Sequence, residues 1–348
     1  MREPEGSPGE RETREPAGPT IGTVTTPSVG GLPPVAGEIS GAAVRPGDRV
    51  FRSLSVAAGA TVLLIMAAIA AFLIVRSVPA LRANTADFFT FEQWLPDESP
   101  VQFGIAALLF HTLMTGLLAM IMAVPVSIGV ALFITYYAPR RVSSTLGYFV
   151  DLLAAVPSIV YGLWGFAFLA PNLTGLTLWL DKWLGWIPLF DYQLQNRPNN
   201  LTDFTAGIIL AIMILPIISS ISREVFRQVP RDQVEAALAL GATRWEMIRT
   251  SVLPFGRSGV VSASILGLGR ALGETLAVTI VLSTVYGISW HITQSGGVTF
   301  AMNIALKYGE AGTVGTNALI ASGLCLFIIT LAVNFSAQLI ITRRRKGA

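Results

Sequence analysis

Six stretches of nearly unbroken apolar residues alternate with segments that carry almost all of the chain's charge. A bilayer core about 30 Å thick is crossed by about 20 residues at the rise of an α-helix. The apolar stretches predict spans at 54–75, within 105–136, and at 146–170, 206–221, 259–284 and 317–341. The second stretch is too long for one upright crossing, so it predicts a tilted helix or one that runs beyond the lipid. The fourth is expected to kink or end near Pro216. Three charges interrupt the pattern: Asp151 in the third stretch, and Arg270 and Glu274 in the fifth.

Composition agrees with a chain solvated by lipid. Apolar residues make up 52% and charged residues 13%, with a mean hydropathy of +0.61. Soluble domains carry about 25% charged residues, so this chain lacks the polar surface to face water all round. The single cysteine, Cys325, excludes a disulfide framework, and two histidines, His111 and His291, leave little for metal or general-base chemistry. The net charge of +3 is distributed by membrane side rather than gathered on one face, which argues against a nucleic-acid partner.

Residues 1–44 differ in kind. They hold seven prolines and eight glycines among Thr, Glu and Arg, with no apolar periodicity. Such a segment cannot bury enough apolar surface to offset its ordering entropy, and a disordered tail is expected. Its glutamates and the absence of a prompt apolar core exclude a cleaved secretory signal. Residues 45–104 then supply the first span and an outer loop.

Sidedness follows from the basic residues beside the spans. One side holds Arg45, Arg49, Arg52, Arg140, Arg141, the six arginines of 223–257, and Arg343, Arg344, Arg345 and Lys346, fifteen in all. The other holds five: Arg76, Arg82, Lys182, Arg197 and Lys307. Both termini are therefore expected in the cytoplasm, which an even number of spans also requires. In the outer 171–203 loop, Leu176, Trp179, Leu180, Trp183, Leu184 and Ile187 share one helical face. With Trp186 they predict a short helix in the membrane interface, either a lipid anchor or a docking surface for an external protein.

The 223–257 segment is the most informative loop. Pro230 can open a helix with Asp232 in its first turn, Gly241 permits a break, and Thr243 with Glu246 has capping-box spacing. A second helix is expected to end before Pro254. The result is a helix–turn–helix elbow that presents small residues. Arg270 and Glu274, four apart in a helical stretch, are expected on one face. Either they neutralise each other for packing, or the arginine offers forked hydrogen bonds to an anionic solute along a polar path.

The run ‘EAALALG’ followed by ‘LP’ resembles the EAA loop of type I ABC importer permeases. Glu235, Ala236, Ala237, Gly241, Leu253 and Pro254 fit that pattern, and Ser251 stands where isoleucine is usual. The runs ‘GRALGET’, ‘PSIVYGLWGF’ and ‘HTLMTG’ narrow the resemblance to the C-type permeases of high-affinity phosphate (Pst) transporters, over roughly residues 50–342. The resemblance implies an all-α integral membrane fold of six transmembrane helices, with 105–342 as the type I permease domain and 223–257 as its cytoplasmic coupling elbow. It implies a bacterial plasma-membrane subunit that does no covalent chemistry and imports inorganic phosphate. Arg270 and Glu274 would lie on the substrate pathway, and the elbow would dock on an ATPase.

The implied partners are a second homologous permease, two copies of a cytoplasmic ATPase that bind ATP and magnesium, and an extracytoplasmic phosphate-binding protein. The same architecture could carry sulfate, molybdate or an amino acid, and a secondary carrier is a more distant reading. The chain itself has no Walker A sequence, and ‘GLGRALG’ lacks dinucleotide-binding spacing.

Overall fold

The structure is a computed structural model that describes residues 46–190 and 200–345. The tail expected to be disordered, Arg197 and Lys346 lie outside the described residues. The chain divides into two units after Val62. The described part of the first, 46–62, is the start of helix α1, with the side chains of 47–62 exposed.

Secondary structure is almost entirely helical. Long α1 (Pro46–Ala83) leads to a two-strand hairpin, β1 (Trp94–Leu95) and β2 (Gln102–Phe103), paired antiparallel. Then come α2 (Ala106–Leu132), α3 (Arg140–Ala154), α4 (Ser158–Trp164), α5 (Ala170–Asn172) and α6 (Thr174–Leu184). Helices α7 (Asp203–Arg227), α8 (Arg231–Ala239), α9 (Arg244–Met247) and α10 (Leu253–Leu272) follow. The chain ends with α11 (Leu276–Val281), α12 (Phe300–Lys307) and α13 (Thr313–Arg345). Three π-helical turns, Phe133–Tyr137, Gly165–Leu169 and Ile248–Val252, continue α2, α4 and α9.

Among the described residues, five helical segments are long and apolar enough to cross a membrane, and the bent pair Arg140–Ala154 and Ser158–Asn172 makes a sixth candidate. Two expected spans are not straight helices. The third bends by 90° between α3 and α4. Pro157 supplies no N–H and pushes its predecessor out of helical geometry. The Leu153 carbonyl, which an uninterrupted helix would pair with residue 157, instead accepts from the Tyr161 hydroxyl at 2.9 Å and from Val156 N–H at 3.3 Å. The fifth breaks after Leu272, as described below.

The fourth expected span shows the opposite deviation, because α7 runs unbroken through Pro216 to Arg227. Its apolar side chains pack against α2 as the central pair of the fold. Ser127 of α2 donates to the Leu215 carbonyl at 3.1 Å, a cross-helix bond one residue before Pro216. Leu108, Ile209, Leu210, Ile214, Ile218 and Phe300 are among the fully buried side chains of this main core. Helix α6 forms in the predicted tryptophan segment, with Trp179, Trp183 and Trp186 exposed.

Candidate translocation site and elbow

The elbow sits on its own small core. Ala131 and Leu132 of α2, Phe226 and Val229 at the end of α7, and Met247, Ile248 and Val252 after the turn form a separate buried cluster. From α8, Val234 and Ala237 pack on this cluster, while Glu235 and Ala236 face outward. Gly241 adopts φ +84°, the left-handed conformation that glycine reaches without steric cost, and turns the chain between α8 and α9. The expected capping box is present: Thr243 N–H donates to Glu246 Oε2 at 2.7 Å, and Glu246 N–H donates to Thr243 Oγ1 at 3.3 Å.

The second elbow helix does not end before Pro254. It continues from α9 through the π-helical turn Ile248–Val252 into α10, where Pro254 occupies the first turn. Pro254, which has no N–H to donate, closely follows that π-helical turn, where the backbone pairing already departs from the α-helical pattern. Leu253 packs on the elbow core and Pro254 is exposed. Arg244–Leu272 is thus one continuous helical rod of 29 residues, which places Arg270 about 40 Å along the axis from Arg244 at the elbow turn.

Arg270 lies in the last turn of α10, and Gly273 ends the helix. Glu274 belongs to the break. Its N–H donates to the Ala271 carbonyl at 3.3 Å, and its Oε1 accepts from Ala277 N–H at 3.3 Å. A carboxylate that accepts from an otherwise unpaired N–H of a following helix acts as its cap. The single helical face expected for Arg270 and Glu274 therefore does not exist, because a break separates them.

Arg270 is exposed and makes no ion pair or hydrogen bond among the described residues, so the mutual-neutralisation reading fails. It stands close enough to Tyr161 for an electrostatic interaction. Arg270 also lines an open cleft of about 580 Å³ with Ile217, Ser262, Gly269, Asn334 and Gln338. Of the glycines near it, Gly267 lies against Ile218, whereas Gly269 has open space before it.

The two motif runs that the sequence separates by a hundred positions meet here. A Cβ on Gly162, in ‘PSIVYGLWGF’, would stand 2.8 Å from Ala277 Cα, just after ‘GRALGET’. Helix α4 thereby holds α11 at backbone contact, and with it the far side of the break.

Two further polar pairs were not apparent from the sequence. Arg223 Nη2 donates to both Asp151 carboxylate oxygens, at 3.1 and 3.0 Å, joining α3 to the end of α7. His111 Nδ1 lies 2.6 Å from Asp203 Oδ2, and His111 Nε2 lies 2.9 Å from the Gly287 carbonyl, with both side chains buried. A charge or imidazole inside an apolar stretch was the available signal. The partner in each pair lies too far along the chain to be read from local spacing.

Membrane-length helices, an elbow on a helical rod, and a broken helix bearing an arginine unpaired among the described residues make up this architecture. Residues 123–346 match the family of binding-protein-dependent transport system inner membrane components. The phosphate transport system permease protein PstC 2 of Mycobacterium tuberculosis is 50% identical over 306 residues, covering 87% of this chain and 94% of that protein. The Mycobacterium leprae PstC is 47% identical over 319 residues, covering 91% and 100%, and a Xylella fastidiosa PstC is 40% identical over 303, covering 86% and 93%. A bacterial ABC transporter that imports the acidic polysaccharide alginate shares the fold, with a TM-score of 0.52 at 18% identity over 85% of this chain and 99% of that one.

The chain belongs to the binding-protein-dependent transport system inner membrane component family, as a permease of the PstC type within the type I ABC importers. It is a non-catalytic membrane component of an ABC transporter.

Proposed function

We propose that this chain imports inorganic phosphate as one permease of an ABC transporter, with Arg270 as its contact to the anion. The single observation that carries the reading is an exposed arginine, unpaired among the described residues, at the end of a helix in an apolar stretch. Facing lipid would cost several kcal/mol, about 2.5–3.5 on insertion scales, so such a group belongs on a polar path or against a partner. Its planar fork matches a tetrahedral oxyanion. The phosphate transport names of relatives at 40–50% identity favour the same solute.

In this reading a second, homologous permease completes the pathway, and an external phosphate-binding protein delivers the anion. Two cytoplasmic ATPases bind ATP and magnesium, and both termini of this chain lie on their side of the membrane. The ATPase grips the elbow through Glu235, Ala236 and the Gly241 turn, while Ala237, Leu253 and Pro254 tie the elbow to its core and rod. Closure of the ATPase pair moves the elbow, and the continuous helix carries that motion to Arg270. Glu274, beyond the break and held with α11 against α4, stays behind. The separation between the arginine and the carboxylate then changes with each cycle, alternately strengthening and weakening the hold on the anion.

The test is ATP-dependent uptake of radiolabelled phosphate by the complete transporter in proteoliposomes containing binding protein. Phosphate accumulation that excess sulfate, molybdate or amino acids do not reduce supports the reading. ATP-driven accumulation of one of those solutes, without phosphate, replaces it.

A further inference from the structure

A second cleft lies beside the elbow core, away from Arg270. Gly129 and Leu132 of α2, and Phe133 and Tyr137 of the π-helical turn that continues it, line one side. Trp245 of α9 and Ile248 line the other, and the volume is about 330 Å³. Leu132 and Ile248 are buried, whereas Phe133, Tyr137 and Trp245 are exposed. Apart from its own helix backbone, no described residue comes within 4 Å of a Cβ placed on Gly129, so an open slot runs beside it. The lining is apolar except for the Tyr137 hydroxyl and the Trp245 ring N–H.

Position and charge identify what fills it. The helical stretch Ala106–Tyr137 has 32 residues, about a dozen more than a crossing requires. Arg140 and Arg141 follow, so the Tyr137 end emerges among the lipid headgroups, where tyrosine and tryptophan are favoured. Four arginines stand within four positions of a lining residue: Arg140, Arg141, Arg244 and Arg249. All four are exposed, and their side chains make no ion pair or hydrogen bond among the described residues. The one acid in the same windows, Glu246, is committed to capping α9, where it accepts from Thr243 N–H at 2.7 Å. An apolar slot with uncompensated arginines around it suits an acyl chain joined to an anionic headgroup. A small free anion has no use for the aromatic walls, and a zwitterionic lipid leaves the arginines without a counter-charge.

We propose that this cleft is a binding site for an anionic phospholipid. One acyl chain lies in the slot beside Gly129, between the α2 aromatics and Trp245, and the headgroup phosphate is held by the surrounding arginines. The lipid then bridges the end of α2 and the start of the elbow rod. This site is independent of which solute is carried.

The test is native mass spectrometry of the complete, detergent-purified transporter titrated with phosphatidylglycerol or with phosphatidylcholine of matched chains. Each arginine near a headgroup is worth about fivefold in affinity. Phosphatidylglycerol should therefore bind at least about tenfold more tightly than phosphatidylcholine. Arg141→Gln and Arg244→Gln should each weaken phosphatidylglycerol about fivefold and leave phosphatidylcholine unchanged. Arg82→Gln, at the other end of the membrane helices, should change neither. Gly129→Leu, which fills the slot and leaves every arginine in place, should weaken phosphatidylglycerol about tenfold. Equal affinity for the two lipids, or indifference to both arginine variants, overturns the proposal. Displacement of phosphatidylglycerol by inorganic phosphate makes this a free-anion site and overturns it too. Loss of the ATPase from Arg244→Gln or Gly129→Leu, with lipid binding intact, gives the cleft to the ATPase instead. Should Gly129→Leu fail to assemble, the arginine variants decide by the same criteria.

Discussion

Arg270 and Glu274 are four residues apart yet stand on opposite sides of a helix end, one in the last turn of α10 and the other in the break, capping α11. The glutamate therefore has a structural duty that its charge does not require. A glutamine retains a side-chain carbonyl to accept from Ala277 N–H, and an alanine does not. Loss of a helix cap costs about 0.5–2 kcal/mol. Thermal unfolding should show Glu274→Ala destabilised by about 1 kcal/mol and Glu274→Gln close to wild type. A transport defect in Glu274→Gln then reports the charge alone.

The elbow glycine permits a cleaner separation of causes. Among the described residues nothing lies within 4 Å of a Cβ placed on Gly241, so a side chain there meets no obstacle from them. Its φ of +84° still penalises any L-residue, by about 1–2 kcal/mol. Gly241→Ala should lower stability by about that amount. Gly241→Val should in addition abolish co-purification of the ATPase, because the obstruction is met by the partner. Normal co-purification of Gly241→Val would place the docking surface elsewhere.

The Asp151–Arg223 pair binds the segment before the Pro157 bend to the end of α7, beside the elbow. Its arginine is nearly buried, at 12% exposure, and its carboxylate is half-exposed. A hydrogen bond to a charged group contributes about 1.5–3 kcal/mol, so Asp151→Ala should destabilise within that range. A double-mutant cycle with Arg223→Ala should show strong coupling, and additive effects would mean that the pair contributes nothing. A Cβ on Gly147 would collide with the Arg223 guanidinium, so Gly147→Ala should reproduce much of the Asp151→Ala defect.

His111 faces an acceptor at both ring nitrogens, Asp203 on one side and the Gly287 carbonyl on the other. Two acceptors require two protons shared across the pair, as an imidazolium with a carboxylate or an imidazole with a carboxylic acid. Removing one member of a buried pair leaves the other uncompensated and costs about 3–5 kcal/mol. Asp203→Ala and His111→Ala should each destabilise strongly. The double variant should lose less than their sum, as read from unfolding in detergent.

Much of this architecture is written locally in the chain. Membrane-length helices follow from apolar runs, the Thr243–Glu246 capping box from spacing, and the Gly241 turn from the residue type. The bend at Pro157 also had a local signal, but the apolar run continues through it and reads as one span. The break at Gly273 had a weaker signal still, since ‘GRALGET’ reads as helix until Glu274 is seen to cap α11. The π-helical turns lack a pattern of their own. His111 with Asp203, Asp151 with Arg223, and Arg270 with Asn334 and Gln338 are products of packing between distant segments, which spacing does not encode.

The central claim is that Arg270 touches the transported anion. It is tested most directly by phosphate uptake in proteoliposomes carrying the complete transporter with Arg270→Ala, assembled with its ATPase. The account predicts uptake reduced to the level seen without ATP, while the ATPase still co-purifies. Wild-type uptake by Arg270→Ala would contradict it.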